Sequence, residues 1–397
     1  MEPHDHRAIG NRLALFHQQD DSPGMVFWHP RGFALYHVIE DHIRRRMRRA
    51  GYQEVRTPQL LGLSLWQASG HWEKFGAGMF AVDGERPLAL KPMSCPGHIQ
   101  IFNARVRSVR DLPLRLSEFG SCHRNEPSGA LHGLLRTRAF VQDDAHVFCT
   151  EAQIEAEVGR FCDLLHTVYA DFGFAEVAVR FATRPALRAG TDAAWDRAET
   201  ALAAAATRAG LGFTVVPGEG AFYGPKLEFH LGDAHSRFWQ CGTIQLDFVL
   251  PERLDATYRD HGDAHTRPAM LHHAVLGSFE RFIAMLLEHH RGRLPAWLAP
   301  DQVVVATIGA GAVEYGAAVR DALLAAELRA VLDARPDTLG RKIVQARALE
   351  IPVVVAVGAS EAANGTVSIR RAGGAQQILP LDAAVALLAA EARRSGG

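Results

Sequence analysis

Apolar residues in the first fifty positions recur at helical spacing. Ile9, Leu13 and Phe16 predict a short amphipathic helix within residues 5–19, and Leu35, Val38, Ile39, Ile43 and Met47 line one face of a longer helix over residues 33–50. Arg44, Arg45, Arg46, Arg48 and Arg49 take the opposite face, the pattern of a solvated helix surface. Gly51 ends this helix, and residues 52–58 read as a strand closed by Pro58. Residues 88–100 predict a strand that carries Met93 and Cys95 into Pro96-Gly97. Residues 121–148 predict two strands joined by a long loop, with a turn at Pro127-Ser128-Gly129-Ala130 and a closing alternation of apolar and polar positions. Within residues 169–268 lie an alanine-rich helix (195–210), a glycine-rich turn (218–229) and an alternating strand (238–249). Residues 270–287 read as a strand, a Gly277-Ser278 turn and a helix. Beyond Trp297-Leu298-Ala299-Pro300, residues 302–308, 315–332, 341–349, 352–357, 366–371 and 382–392 alternate strand and helix, as in a small α/β domain. The glycines after Ile308 lack the dinucleotide-loop spacing and predict a plain strand-to-helix turn.

Composition narrows the class. The 397 residues leave room for two or three domains, and 48% hydrophobic with 22% charged residues is ordinary for a soluble protein. No apolar run reaches the roughly 18 residues of a membrane span, and the opening MEPHDHRAIG is too polar for a signal peptide, so a cytoplasmic protein is expected. Five scattered cysteines without a CxxC pair predict reduced thiols. A net charge of -1 provides no global basic field, so any RNA contact must come from local patches. Basic residues are overwhelmingly arginine; Lys74, Lys91, Lys226 and Lys342 are the only lysines, retained by chance or by a need for a compact ammonium.

Chemistry concentrates in residues 121–148. On an extended strand Arg124 and Glu126 share a face, where one can hold an anion and the other accept from an amine, although a solvated charged hairpin would use the same residues. The alternation after Phe140 buries Asp144 and His146, whose polar atoms then need partners. The stretch FGSCHRNEPSGALHGLLRTRAFVQDDAHVF (119–148) resembles motif 2 of class II aminoacyl-tRNA synthetases, and within them the threonyl-tRNA synthetases. The likeness continues in order through KPMSCPGH (91–98), GEGAFYGPKLEF (218–229), WQCGTIQLDF (239–248) and HHAVLGSFERF (272–282), and covers about residues 5–300.

The resemblance implies an α+β fold: a class II antiparallel-sheet catalytic core over residues 1–300, then an anticodon-binding-type α/β domain over 301–397. It implies ATP-dependent activation of threonine and transfer to threonine tRNA by a homodimer whose interface is built by the helix and strand at 33–58. Arg124 would take the α-phosphate and the reacting carboxylate, Arg136 the distal phosphates with their Mg2+, and Glu126 an amine of the nucleotide. Phe140 and Arg281 would sandwich adenine, and Gln240 would read polar groups of adenine and substrate. Lys226 is carried over as a catalytic position from GAFYGPK, and His71 in GHW as the base beside the terminal tRNA ribose. Met93, Gln142, Asp144, Tyr223 and Gln245 would contact threonine. Spacing alone links no ligands, but by resemblance Cys95, His146 and His272 bind one zinc ion, and three protein ligands leave it open to substrate. His261 and His265 read as a surface loop instead.

The chain departs from the family pattern at Ser94, Ala139 and His273, and it opens at the DHR segment that an editing region usually precedes. Serine retention in the product is therefore an expectation. A threonine-activating paralogue with another acceptor, or an inactive tRNA- or amino-acid-binding regulator, are the alternatives. In the C-terminal domain Pro336 and Val344 stand where the family has Asn and Arg, while Glu361 and Arg370 match. From Asp301 on, ten basic residues meet ten acidic ones, so few phosphate contacts are available and base edges must provide discrimination. Changing an anticodon base of threonine tRNA is therefore expected to lower kcat/KM far less than in an enzyme retaining the Asn and Arg; a loss of about 10³-fold or more would refute this.

Overall fold

A computed structural model describes residues 4–233, 237–371 and 373–392. The chain forms two compact units, residues 18–26 with 41–286, and residues 1–17 with 27–40 and 287–397.

The first unit is built on an eight-stranded sheet. Its order is Thr214–Val216, Ala178–Ala182, Lys226–Gly232, Phe238–Asp247, Ala269–Ala274, Ala139–Cys149, Leu114–His123 and Gln53–Glu54. All neighbours are antiparallel except the outermost pair at each end. The helices Ile154–Asp171 and Asp192–Arg208 pack on each other beside it. Tyr169 ties helix to sheet: its hydroxyl donates to Val275 O and accepts from Gly242 N, both at 2.8 Å.

Register does the positioning. Ala269–Ala274 pairs with Ala139–Cys149 so that His272 lies directly opposite His146, and it pairs with Phe238–Asp247 so that Gln245 lies opposite His272. Residues 126 positions apart thereby become cross-strand neighbours, with Cβ atoms about 5 Å apart. At the end of the same strand Gly277 (φ +83°) makes the turn into the helix Phe279–His289; a Cβ there would lie 2.4 Å from Cys241 O. Asp143 accepts from the amides of Val275, Leu276 and Gly277 at 2.8–3.0 Å and holds that turn from the neighbouring strand.

The second unit contains a five-stranded sheet, ordered Ala330–Asp333, Val303–Thr307, Val353–Val357, Thr366–Arg371, Gln377–Pro380, the first three parallel. Val303, Val305, Val353 and Val355 face Val319 and Leu323 of the helix Val313–Ala325 and Leu388 of Leu381–Ala392. Val304, Ala306 and Val354 face Ala346 of Leu339–Ala348. Burial on both faces explains the unbroken valine runs.

Three local expectations are corrected. Cys95 is not on a strand; the strand is Leu88–Leu90, and Cys95 opens the helix Cys95–Asn103, because Pro96 has a backbone already set for a helix's first turn. The strand before the motif 2 loop ends at His123, so Arg124 and Glu126 are not on an extended segment; Glu126 N bonds back to Arg124 O at 2.8 Å in a tight turn. Residues 315–332 are a helix ending at Ala325 and a strand from Ala330, divided at Glu327 with φ +62°.

The three-amide clamp yields a stability prediction. Asp143→Asn turns an NH2 toward one of the three amides and is expected to cost about 1–3 kcal/mol, read as a lower midpoint in urea unfolding; an unchanged midpoint would mean the clamp is dispensable.

Candidate functional site

A cleft of about 490 Å³ opens over one face of the eight-stranded sheet. Arg124, Glu126, Arg136 and Phe140 line it from the motif 2 loop and strand, Tyr223 and Lys226 from the glycine-rich turn. Gln142, Gln240, Gln245, Met93 and Arg281 line its walls as predicted, whereas Asp144 and His71, also predicted here, are buried outside its lining. Charge is pre-positioned there. Arg281 donates to Leu135 O at 3.0 Å and Gln240 O at 2.8 Å, which fixes its plane. The Arg124 guanidinium lies 5.0 Å from the Phe140 ring centre and donates to Pro92 O at 3.2 Å. Exposed Arg136 pairs with Glu126 at 2.8 Å, and Lys226 with Glu228 at 2.6 Å. The Arg136–Glu126 pair is exposed enough to be weak and replaceable by an anionic ligand, whereas Glu228 is buried and holds Lys226 firmly at the cleft edge.

Below the cleft, Cys95, His146 and His272 are fully buried, and one potential ligand atom of each lies within 4.8 Å of the others. Tyr223 connects the two regions: it lines the cleft, its ring stacks on His272 at 4.8 Å, and its hydroxyl donates to Gln245 Oε1. His272 Nε2 is 2.9 Å from Asp247 Oδ2, while Asp247 Oδ1 accepts from the amides of Val249 and Leu250, so Nε2–H donates to the carboxylate and Nδ1 keeps its lone pair. That Nδ1 is buried with no hydrogen-bond partner. An orphaned nitrogen facing a thiol and a second imidazole suits a divalent metal, and the soft donor suits zinc. Burial pushes the Cys95 thiol well above its ordinary range, and only a cation beside it would hold it as thiolate. Asp144 Oδ1 approaches His146 Nε2 to 3.7 Å, and its other oxygen accepts from Ser94 N at 3.2 Å.

His71 is placed differently from the cleft residues. Its ring is buried, with Nε2 3.3 Å from Cys95 Sγ and Nδ1 2.8 Å from Ser69 Oγ. Burial pushes it down to about 3, so the ring is neutral. His261 and His265 are exposed. A second buried trio, Asp5, His6 and Glu288 in the other unit, is an ion-pair cluster: His6 Nδ1 is 2.8 Å from Glu288 Oε1, and Arg7 holds both oxygens of Asp5.

Sequence reasoning missed Asp247 and His98, which bond to His272 and His146, and Glu118 and Thr57 behind His98. A carboxylate inside an apolar strand, as in LSEFG or IQLDF, was the available sign of a buried partner. Glu118, nearly fully buried, meets Lys91 Nζ at 2.7 Å, Thr57 N at 3.0 Å and His98 Nε2 at 3.1 Å. Burial pushes its carboxyl up, but the bonds from His98, Lys91 and Thr57 outweigh this and hold it down to about 2. A carboxylate with a depressed folded value adds stability above its unfolded value near 4.5, and that increment is lost as pH falls toward 2. The urea midpoint is therefore expected to drop between pH 5 and 2.5 by more in the native chain than in Glu118→Gln; parallel curves would show that Glu118 does not contribute.

Comparison with known proteins agrees with this arrangement. The family model described as "tRNA synthetase class II core domain (G, H, P, S and T)" matches residues 79–290, and the one described as "Anticodon binding domain" matches residues 302–391. The threonine–tRNA ligase of Caulobacter vibrioides (strain NA1000 / CB15N) is 56% identical over 395 residues, 98% of this chain and 60% of the relative. That of Paramagnetospirillum magneticum (strain ATCC 700264 / AMB-1) is 56% identical over 394 residues, 98% of this chain and 62% of the relative. Among solved structures, the RNA binding domain of threonyl-tRNA synthetase from Cryptosporidium parvum Iowa II superposes with a TM-score of 0.95 at 40% identity, covering 99% of both chains. The chain spans about 60% of the length of the curated relatives it matches.

Proposed function

The chain belongs to the class II tRNA synthetases, in their threonyl branch, and on that premise we propose that it activates L-threonine with ATP and transfers it to threonine tRNA. One observation carries the reading: a cleft lined by Arg124, Arg136, Lys226 and Arg281 that reaches, through Tyr223, a buried Cys/His/His cluster. We assign residues 1–300 to the catalytic domain and 301–397 to an anticodon-binding-like domain, a division that the matched ranges support.

In the first step the threonine carboxylate attacks the α-phosphorus in line and pyrophosphate departs as the adenylate forms. Such a displacement needs positioning and charge neutralisation more than covalent help. Arg124 would neutralise the carboxylate and α-phosphate together, Lys226 would add charge from the glycine-rich turn, and Arg136 would hold the distal phosphates that carry Mg2+. Glu126 would accept from the adenine amine, Phe140 and the fixed plane of Arg281 would flank the ring, and Gln240 would offer its amide. In the second step the ribose 2′-hydroxyl attacks the carbonyl and AMP leaves. His71 would take that proton once movement of the helix His71–Phe75 uncovers it.

Cys95, His146 and His272 would hold one zinc ion, which when bound supplies an open coordination position for the threonine amine and hydroxyl. Asp144 would accept the hydroxyl proton, with Gln142, Met93, Tyr223 and Gln245 shaping the rest of the pocket. An apolar pocket separates threonine from isosteric valine by only about 10²-fold, whereas a site that requires an oxygen ligand does far better. By the same reading the enzyme works as a homodimer in the cytoplasm. No helix among the described residues is long and apolar enough to cross a membrane.

Threonine-dependent exchange of pyrophosphate into ATP tests the first step. Arg124→Ala is expected to lose at least about 10²-fold, and a near-native rate would displace the phosphate site from Arg124. His146→Ala should lose both the bound zinc and the exchange activity; full activity in a metal-free protein would remove zinc from the proposal. Charging of threonine tRNA by the native chain then separates tRNA from any other acceptor.

A further inference from the structure

From Nδ1 of His146 starts a chain of hydrogen bonds that none of the roles proposed above uses. His146 Nδ1 is 2.8 Å from His98 Nδ1, His98 Nε2 is 3.1 Å from Glu118 Oε2, and Glu118 Oε1 is 2.7 Å from Lys91 Nζ. Thr57 brackets the carboxylate: its amide donates to Oε1 at 3.0 Å, its hydroxyl donates to Oε2 at 2.8 Å, and that hydroxyl accepts from Lys91 Nζ at 2.9 Å. Lys91, His98, Glu118 and His146 are all at most 3% exposed.

Two ring nitrogens 2.8 Å apart share one proton, and its owner decides what His146 can bind. A carboxylate oxygen accepts, so the His98 proton sits on Nε2 and His98 Nδ1 presents a lone pair. His146 Nδ1 must then donate, which leaves His146 Nε2 as the lone pair available to a metal. With a donor in place of Glu118 Oε2, every bond would reverse and His146 would present an N–H to the cation instead. Lys91 keeps the polarity one way: it compensates the buried carboxylate and, with the Thr57 amide, supplies two donors at Oε1.

We propose that Lys91, Glu118 and His98 form a tautomer relay that fixes His146 as an Nε2 ligand, with His98 and Glu118 acting as positioning residues for the metal site. The relay rests on the zinc reading above, and its test is built so that the two fail separately. Zn2+ affinity is measured on the full chain, without threonine or ATP, by competition with a chromophoric chelator. Glu118→Gln reverses the chain, because the two donors at Oε1 select the amide oxygen there and turn the NH2 toward His98. Glu118→Gln and His98→Leu are each expected to bind Zn2+ about 10- to 100-fold more weakly. His98→Asn, whose Oδ1 stands near the lost Nδ1 and accepts from His146, should recover near-native affinity. If Glu118→Gln does not fold, the contrast between His98→Leu and His98→Asn decides alone. Native affinity in His98→Leu, or equal weakening in His98→Leu and His98→Asn, overturns the relay while zinc binding by the native chain stands. Absence of Zn2+ binding by the native chain, matching a His146→Ala control, overturns the metal reading itself.

Discussion

The pairing of Ala139–Cys149 with Ala269–Ala274 is the constraint on which the site depends. Side chains alternate along a strand, so the adjacent aspartates 143 and 144 point to opposite faces and do different work. Asp143 grips three amides of the turn that leads to Arg281, whereas Asp144 and His146 face the buried cluster. A slip by one residue would exchange the two faces. The same register thus holds the arginine of the cleft and the histidines beneath it, and Gly277 lets the chain turn against Cys241 where no side chain fits.

Buried charge is the second theme. Glu118, Asp143, Asp144, Asp247 and Lys91 are all at most 7% exposed, and uncompensated burial of any of them would cost several kcal/mol. Their bonds show why the fold tolerates them. Asp247 is compensated by two amides and an imidazole, and Glu118 by an ammonium, an amide, a hydroxyl and an imidazole; the three amides offset the burial of Asp143 only in part, and its carboxyl is pushed up to about 7. Each satisfied network leaves the ring it touches with one hydrogen-bond polarity, which a site built of mobile surface groups could not guarantee. Stability and chemical definition therefore have the same source.

Elements with a strong period were legible in the sequence. The helix predicted over 33–50 is Pro30–Arg49, the strand predicted over 238–249 is Phe238–Asp247, and the valine-rich runs of the C-terminal domain are its central strands. Local exceptions were not legible, because they depend on one backbone choice: Pro96 beginning a helix at Cys95, or a tight turn after Arg124. Arg124 and Glu126 still reach one cleft, although through a turn and not through a shared strand face. The juxtaposition of His146 and His272 has no local sign at all, since register is a long-range property. Motif resemblance supplied the candidate ligands but not their partners: Asp247 had one sign, a carboxylate in an apolar strand, and His98 declares itself only through hydrogen bonds.

The C-terminal domain shows what a neutral composition does in three dimensions. Arg320, Arg335, Arg341 and Arg371 each meet a carboxylate, at 2.6–3.3 Å. Lys342 is buried and donates to the carbonyls of Thr307 and Asp333, Arg329 donates to those of Ala299 and Trp297, and Glu361 accepts from Gly358 N at the start of its own helix. Lys342 and Arg329 therefore brace the fold instead of offering charge to RNA. Exposed ion pairs are weak and an RNA phosphate can compete for their arginines, but every arginine so recruited strands a carboxylate beside the phosphate. Electrostatic attraction to the backbone is consequently self-limiting at these four arginines, while Arg347 is exposed and Arg370 donates to the Gln376 side-chain oxygen. Val344, 65% exposed, and the exposed ring of Pro336 offer apolar contact where hydrogen bonds to base edges would be needed. Under the function proposed above, an anticodon loop held at this surface would be gripped through shape and stacking more than through hydrogen bonds to base edges.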